Sequence, residues 1–352
     1  MAYAKENTFS NFVAIFHMNS QWLPILIWLP ILIWLPILIL SFVAINLYFS
    51  LATRFNIIDK PNERSSHTQL TIRGAGILFP LVMLVSWMLD ATLSSSSLIS
   101  ELSKQPWILG LLLISTVSFI DDIRPLSSRF RVLFHLIAVA TLLFSVTASG
   151  WMMVVALVLV VGTINAYNFM DGINGITGLY SLVTLLGFYG LHQLGVDVGI
   201  SQSFIMNLMV ALVVFLFYNL RKRAKCFCGD VGSVSMAFLL TYVVYRLVVG
   251  QLDPIYILMF GVYGIDAVGT ILLRLMRREN IFEAHRTHYY QYLANERKWP
   301  HIWVSLFFAF VQLLLNFMVI HHPDLAYFSF VGMVFLYAVL RRNDIINSWR
   351  TR

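Results

Sequence analysis

Residues 151–167 read WMMVVALVLVVGTINAY, an apolar stretch without a charged side chain, and the polar motif NFMDGING follows directly over 168–175. A helix needs about 20 such residues to cross the hydrocarbon core of a bilayer. Further uncharged runs of similar length lie near 30–51, 74–92, 105–120, 132–148, 176–192, 204–219, 233–249, 255–273, 302–320 and 325–340. The sequence therefore predicts an all-α, polytopic integral membrane protein with about eleven transmembrane helices.

The composition supports a membrane protein. Of the 352 residues, 59% are hydrophobic and only 12% are charged, and the mean hydropathy is +0.78. A soluble domain is about one quarter charged. These values exclude a soluble enzyme, a disulfide-stapled secreted domain and a disordered chain.

The basic residues predict the orientation. If segment 52–73 is cytoplasmic, alternation along the chain places five further segments on the same side, namely 121–131, 168–175, 220–232, 274–301 and 341–352. Together these segments hold 21 of the 24 Lys and Arg residues. The positive-inside rule then predicts an outside N-terminus and a cytoplasmic C-terminus. Orientation explains the net charge of +7, so no nucleic-acid partner is expected.

We expect residues 1–352 to form a single transmembrane catalytic domain. Its first helix, over 22–51, contains the hexapeptide WLPILI three times within Trp22–Ile39. Prolines six residues apart do not share a helix face, and this run is longer than a span requires. We interpret the extra copies as a tandem duplication in a tolerant helix.

Polar motifs follow several of the predicted spans. Asp121 and Asp122 are adjacent in FIDDIRPLSSRFR, at the cytoplasmic end of the third span. Neighbouring carboxylates raise each other's pKa unless a cation lies between them. In NAYNFMDGING, Asn165, Asn168 and Asp171 recur every three residues, so they share one helix face and are expected to line a site.

Other polar segments supply an acidic residue and several cationic ones. Asp230 lies in GDVGS, just before the eighth span, where a helix N-terminus favours an anion. Segments DKPNERSSH (59–67), followed by Arg73, and EAHRTHYYQ (283–291) offer donors to phosphates. The candidate phosphate-binding side chains are Arg64, His67, Arg73, Arg129, Arg131, His285, Arg286 and His288.

Each acidic residue, taken alone, is more typical of a helix cap or a solvated side chain than of a site. Together, the loops deliver four Asp side chains to one predicted membrane face. Mg²⁺ prefers oxygen ligands, and phosphoryl transfer requires its charge to be neutralised. The pattern therefore predicts a site for Mg²⁺ and a pyrophosphate, formed by cytoplasmic loops 52–73, 121–131, 168–175, 220–232 and 274–301.

The order and spacing of these motifs, from Asp59 to Leu293, resemble the polyprenyl-phosphate N-acetylhexosamine-1-phosphate transferases of glycosyltransferase family 4. The resemblance implies transfer of a sugar-1-phosphate from a UDP-N-acetylhexosamine to undecaprenyl phosphate, with Mg²⁺ or Mn²⁺ as cofactor and UMP as product. It also implies a bacterial inner membrane location with the active site on the cytoplasmic face. PNERSSH and HRTHYYQYL are similar to the branch that initiates O-antigen or capsule synthesis with a 6-deoxy N-acetylhexosamine.

The resemblance also implies residue roles. Asp171 and Asp230 are the expected metal ligands, and Asp121 and Asp122 are expected to bind metal or activate the lipid phosphate. Asn165 and Asn168 are expected to orient the metal ligands or the nucleotide. Asn174 stands where many members have a second Asp, which leaves the role of that position open.

Other interpretations remain at this point. A secondary transporter of an anionic or lipid-linked substrate is the main alternative, although transporters place charged groups near the midplane and show repeated halves. A non-catalytic scaffold is a third. Asp266, inside the ninth span, is a candidate functional carboxylate or a helix-pairing one. The sugar, the glycan, a covalent route and a homodimer all stay open.

Overall fold

The computed structural model describes residues 22–59, 70–94, 97–146, 150–280 and 286–342, with side chains in the first helix described from Trp34 onward. Among the predicted site residues, Arg64, His67 and His285 lie outside the described residues.

Helices dominate the described chain, because a backbone in lipid must satisfy its hydrogen bonds within itself. The long helices are α1 (Trp22–Arg54), α2 (Leu78–Leu93), α4 (Trp107–Ile123), α5 (Ser128–Phe144), α6 (Gly150–Phe169), α7 (Ile176–Gln193), α8 (Gln202–Asn219), α9 (Gly229–Gln251), α10 (Gly261–Met276), α12 (His301–His321) and α13 (Pro323–Leu340). Each overlaps one of the predicted spans. The three WLPILI copies lie within α1.

Shorter elements connect the helices. They are the helices α3 (Leu98–Lys104) and α11 (Tyr289–Gln291), the 3₁₀ turns Ala75–Ile77 and Pro254–Phe260, the π-helical turn Tyr292–Glu296, and the strands β1 (Ile58–Asp59) and β2 (Thr71–Ile72). The strands pair antiparallel, with Ile58 opposite Ile72. Two-residue strands carry too little pattern to be predicted, and the all-α expectation misses them.

By length and apolarity, eight helices within the described ranges are able to cross a membrane. The pair Leu98–Lys104 and Trp107–Ile123, bent by 90°, is a ninth candidate. The fold is therefore that of an all-α membrane protein. The count of eleven spans and the orientation of the termini stay predictions.

Helix α9 lies at the centre of the bundle. In an 18-residue stretch of α9, 89% of the residues are buried, whereas only 6% are buried in an 18-residue stretch of α13. Large apolar side chains such as Val158 and Phe335 point outward and are mostly exposed. This distribution suits a bundle whose outer surface contacts lipid and whose polar residues face inward.

The start of α9 is packed against the segment that follows β2. Phe227 N–H donates to the Ile72 carbonyl at 2.8 Å, and Gly76 N–H donates to the Cys228 carbonyl at 2.9 Å. A Cβ on Gly76 would collide with the Cα of Gly232. The two backbones therefore approach more closely than any side chain would allow.

We predict that Gly76→Ala lowers stability, because the added methyl has no space beside the Gly232 backbone. Overpacking of this kind costs about 1–3 kcal/mol. Thermal unfolding of the purified protein in detergent measures the effect. Gly332→Ala, on α13, is the matched control and is expected to leave the midpoint unchanged, since nothing lies within 4 Å of a Cβ at that position.

Candidate functional site

A polar cavity of about 250 Å³ lies at the end of the bundle where α4, α6 and α8 end and α7, α9 and α12 begin. Its lining residues are Asp59, Arg73, Asn168, Asp171, Gly172, Ile173, Asn174, Asn219, Phe227, Cys228, Gly229, Asp230, Gln291 and His301. Every described loop for which the sequence predicts site residues contributes to this lining, with the exception of segment 121–131.

Asp122 anchors the start of α9. Its Oδ1 accepts hydrogen bonds from Asp230 N–H at 2.9 Å and from Arg73 Nε at 2.7 Å, and its Oδ2 accepts from Val231 N–H at 2.9 Å. The first N–H groups of a helix have no partner within the helix, and an anion there is stabilised by the helix dipole. Asp122 therefore acts as a cap supplied by another helix.

A glycine makes this cap possible. Gly229 has φ +73, and a Cβ there would lie 2.5 Å from Asp122 Oδ2 and 2.7 Å from Gly74 Cα. Both the left-handed backbone and the lack of space require glycine. The glycine of the GDVGS motif is thus explained by the approach of Asp122.

Asp121 is also engaged in local structure. Its Oδ1 accepts from Leu126 N–H at 2.5 Å, and its Oδ2 accepts from Arg131 Nη1 at 3.1 Å. The side chain is buried and is not part of the cavity lining. The structure thus divides the four predicted catalytic carboxylates into a supporting pair, Asp121 and Asp122, and a cavity-lining pair, Asp171 and Asp230.

Asp230 faces two guanidinium groups. Its Oδ1 lies 3.3 Å from Arg73 Nη2, and its Oδ2 lies 3.6 Å from Arg131 Nη1. Burial alone would lower the pKa of Arg73, but the adjacent Asp122 and Asp230 carboxylates raise it further above its ordinary value. Arg73 is therefore a fixed positive charge on the cavity wall.

Asp171 lies in the turn that follows α6. Burial raises its pKa from 3.8 to about 7, although a hydrogen bond from Thr177 Oγ1 to Oδ1, 2.6 Å long, opposes the shift. The neighbouring Asp122 charge raises this pKa as well. A nearby cation would stabilise the ionised form, so this carboxylate is suited to bind one.

The predicted amides separate in the structure. Asn168 lines the cavity, and its Oδ1 accepts from Ser233 Oγ at 2.5 Å. Asn165 lies one turn deeper and donates from Nδ2 to the Val161 carbonyl at 2.8 Å, outside the cavity lining. Within this pair, the geometry supports a site role for Asn168 only.

The predicted cationic side chains are dispersed. Arg129 and Arg286 are exposed, and Arg131 contacts the carboxylates as described. His288 is 2% exposed, with Nδ1 at 3.6 Å from Asp266 Oδ1, and it faces α10 instead of the cavity. Their roles in phosphate binding stay predictions.

Several lining residues were not singled out from the sequence. Asp59, Phe227, Gln291 and His301 reach the cavity from β1, the loop before α9, α11 and the start of α12. Asp59 is the first residue of the segment DKPNERSSH, and Gln291 is the last residue of EAHRTHYYQ. Their place in these motifs is a signal available from the sequence. His301 follows Pro300 at a predicted helix start but carries no motif.

The donor set fits a hard divalent cation. Asp171, Asp230 and Asn168 supply carboxylate and amide oxygens, which Mg²⁺ prefers. Within the described part of the chain, no group of three or more His, Cys, Asp and Glu side chains is arranged to hold a metal. Mg²⁺ commonly uses one or two carboxylates together with substrate phosphates, so the set fits Mg²⁺.

The two cysteines are buried thiols, and Cys228 is part of the cavity lining. Burial raises the pKa of both thiols. Burial therefore disfavours the thiolate, which is the form that binds metals.

An apolar groove of about 860 Å³ opens between α6, α10 and α13. Tyr167 lines this groove, and Asn168, the next residue, lines the polar cavity. The last turn of α6 therefore forms a wall of both spaces.

Residues 105–248 match the family model described as glycosyl transferase family 4. This match supports membership of that family. A comparison with curated proteins finds no match.

The glycosyl transferase family 4 match runs from the start of α4 almost to the end of α9. It includes Asp121, Asp122, Asp171 and Asp230, and thus both carboxylate pairs. The strands β1 and β2 and the segment 286–301 lie outside it. The matched part therefore contains the most buried of the candidate spans, α9, together with both carboxylate pairs.

We predict that Asp122→Asn destabilises the protein by about 3 kcal/mol, because a buried charge pair loses one partner and an N–H of α9 loses its acceptor. Thermal unfolding in detergent measures the change. Asp197→Asn removes an exposed ion pair with Arg246 and is expected to cost less than about 1 kcal/mol. Unchanged stability in Asp122→Asn would contradict the capping role.

Proposed function

We propose that the protein transfers an N-acetylhexosamine-1-phosphate from a UDP-sugar to undecaprenyl phosphate and releases UMP. The observation that carries this proposal is that adjacent residues of the last turn of α6 line two different spaces, Tyr167 an apolar groove and Asn168 a polar cavity that also holds two carboxylates. A lipid phosphate is apolar along its chain and anionic at its head. The glycosyl transferase family 4 match supports the same reaction class.

In this reaction, an oxygen of the lipid phosphate attacks the β-phosphorus of the UDP-sugar. A new P–O bond forms, the bond from the β-phosphorus to the bridging oxygen breaks, and that oxygen leaves with UMP. The lipid phosphate is largely ionised near neutral pH, since its second pKa is about 6. The nucleophile therefore does not require a general base, and both oxygens of Asp121 already accept hydrogen bonds.

The main task of the protein is to bring anions together. Asp171, Asp230 and Asn168 would hold Mg²⁺ or Mn²⁺, and the bound ion supplies charge neutralisation at the two phosphates. Arg73 offers a fixed cationic donor on the same cavity wall. Phe227 and the neutral side chains Gln291 and Asn219 supply the non-ionic part of the lining, which suits the nucleoside and sugar.

We place this activity at the cytoplasmic face of a bacterial inner membrane, where it would initiate O-antigen or another surface polysaccharide. The distribution of basic residues in the sequence supports that orientation. A 6-deoxy sugar such as N-acetylfucosamine or N-acetylquinovosamine, or N-acetylglucosamine itself, is the proposed donor sugar. The resemblance of PNERSSH and HRTHYYQYL to the initiating branch supports this choice.

We expect UMP release from one member of a panel of UDP-N-acetylhexosamines when purified protein is mixed with undecaprenyl phosphate and Mg²⁺. Asp171→Asn and Asp230→Asn should each lower the rate by about 10²-fold or more, since each removes a charged ligand of the cation that neutralises the transferring phosphate. Asp324→Asn, an exposed residue in the first turn of α13, is the control. Activity without divalent cation, or in both cavity variants, would contradict the proposal.

The groove gives a separate prediction about the lipid acceptor. Gly162 and Gly264 line it, and nothing lies within 4 Å of a Cβ at either position. Gly264→Leu should fill part of the groove and raise the KM for undecaprenyl phosphate several-fold, with the KM for the UDP-sugar unchanged. Gly332→Leu, equally open but outside the groove lining, should change neither constant.

A further inference from the structure

A carboxylate inside the bundle fixes the segment 286–296. Asp266 on α10 is only 1% exposed. Its Oδ1 accepts from Tyr289 N–H at 2.7 Å, and its Oδ2 accepts from Tyr290 N–H at 3.1 Å. Thr270, one turn along α10, also donates to Oδ1 at 3.2 Å. Both oxygens are thus used, and they satisfy the first N–H groups of α11.

The second contact joins this segment to the turn after α6, which contains Asp171. Tyr290 is fully buried, and its hydroxyl donates to the Phe169 carbonyl at 3.0 Å. Phe169 is the last residue of α6, and the terminal carbonyls of a helix need a partner from outside. A Cβ on Gly172 would collide with the same hydroxyl. The Tyr290 ring therefore packs directly against the turn that contains Asp171.

A third contact holds the segment from the other side. Arg341, at the end of α13, donates from Nη2 to the Thr287 carbonyl at 3.0 Å. It is 5% exposed. Anchors on α10 and α13 therefore fix the backbone on both sides of His288, so that the depth of Tyr290 is set by Asp266 and not by the loop itself.

We propose that Asp266 is a positioning residue: its carboxylate sets the place of Tyr290, and Tyr290 sets the turn that presents Asp171. Asp266 does not line the cavity, so it acts through Tyr290. Its effect on the transfer reaction rests on the proposed function, whereas the mechanical link between the two segments does not.

Kinetics of three variants test the link. Asp266→Asn keeps the side-chain volume but replaces one acceptor by an NH₂ group, so one N–H of α11 loses its partner. Tyr290→Phe removes only the hydroxyl. Each should lower kcat/KM for UMP release about 10-fold or more, as is usual for groups that orient ligands. Because Asp266 acts through Tyr290, the two losses should not multiply. The kcat/KM of the double variant should be little lower than that of the more severe single variant.

Two controls separate this effect from general damage. Asp253→Asn alters a carboxylate that caps the turn Pro254–Phe260, which precedes α10, through Ile255 N–H. Thr270→Val removes one hydrogen bond to Asp266 and leaves the contacts with α11 intact. Both should retain near wild-type kcat/KM. If the loss of kcat/KM in the double variant equals the product of the losses in Asp266→Asn and Tyr290→Phe, the inference is overturned, because the effects of independent sites add in free energy.

Hydrogen exchange provides a measurement that does not depend on activity. In Asp266→Asn, amide exchange should become faster both in 286–296 and in 170–176. In Tyr290→Phe, which keeps the carboxylate, it should become faster in 170–176. Faster exchange confined to 286–296 in Asp266→Asn would overturn the inference. Transmitted exchange in a protein that releases no UMP would leave the link established and count against the proposed function.

Discussion

One carboxylate, shared between two backbone N–H groups and a guanidinium, determines how the candidate site is built. Asp122 lies at the end of α4, yet its hydrogen bonds define the first turn of α9 and the position of Arg73. An unpaired carboxylate in this position would be costly, and so would unpaired N–H groups. Each therefore requires the other, and Asp230 is placed as a result.

The arrangement gives the cavity two electrostatic parts. Asp230 lies beside two guanidinium groups, whereas the carboxylate of Asp171 accepts a hydrogen bond from the Thr177 hydroxyl. The cavity thus offers carboxylate oxygens on one side and the positive charge of Arg73 on its wall. A cation and a phosphate can be bound together in such a space, which is the combination that phosphoryl transfer requires.

The sequence predicts the helices well because a long uncharged run has one main physical meaning in a chain of this composition. It also predicts which loops carry carboxylates. It does not predict which carboxylates support the structure and which line the cavity. Asp122 and Asp171 both lie near helix ends, and they differ only in what surrounds them after folding. Whether Asp meets the backbone N–H of another helix or an open cavity is decided by tertiary packing.

The same reason explains other differences. His288 belongs to a motif that indicates phosphate binding, but Asp266 and the fully buried Tyr290 hold its segment against α10. Strands β1 and β2 are too short to show alternation, and Ile72 also pairs with Cys226, which is distant in sequence. Contacts between remote segments leave no local pattern. In contrast, Gly229 and Gly232 belong to a motif that the sequence shows, although the sequence does not show which segments they contact.

The central position of α9 has a consequence for biosynthesis. The long helices packed against it are α2, α4, α5, α6 and α7, all of which precede it in the chain. When α9 leaves the ribosome, the long helices that pack against it have therefore already been made, and the turn Pro254–Phe260 is the later contact. Its first turn contains Asp230 and glycines, which gain little from contact with lipid. Earlier helices thus form a template against which α9 packs before α10, α12 and α13 are made.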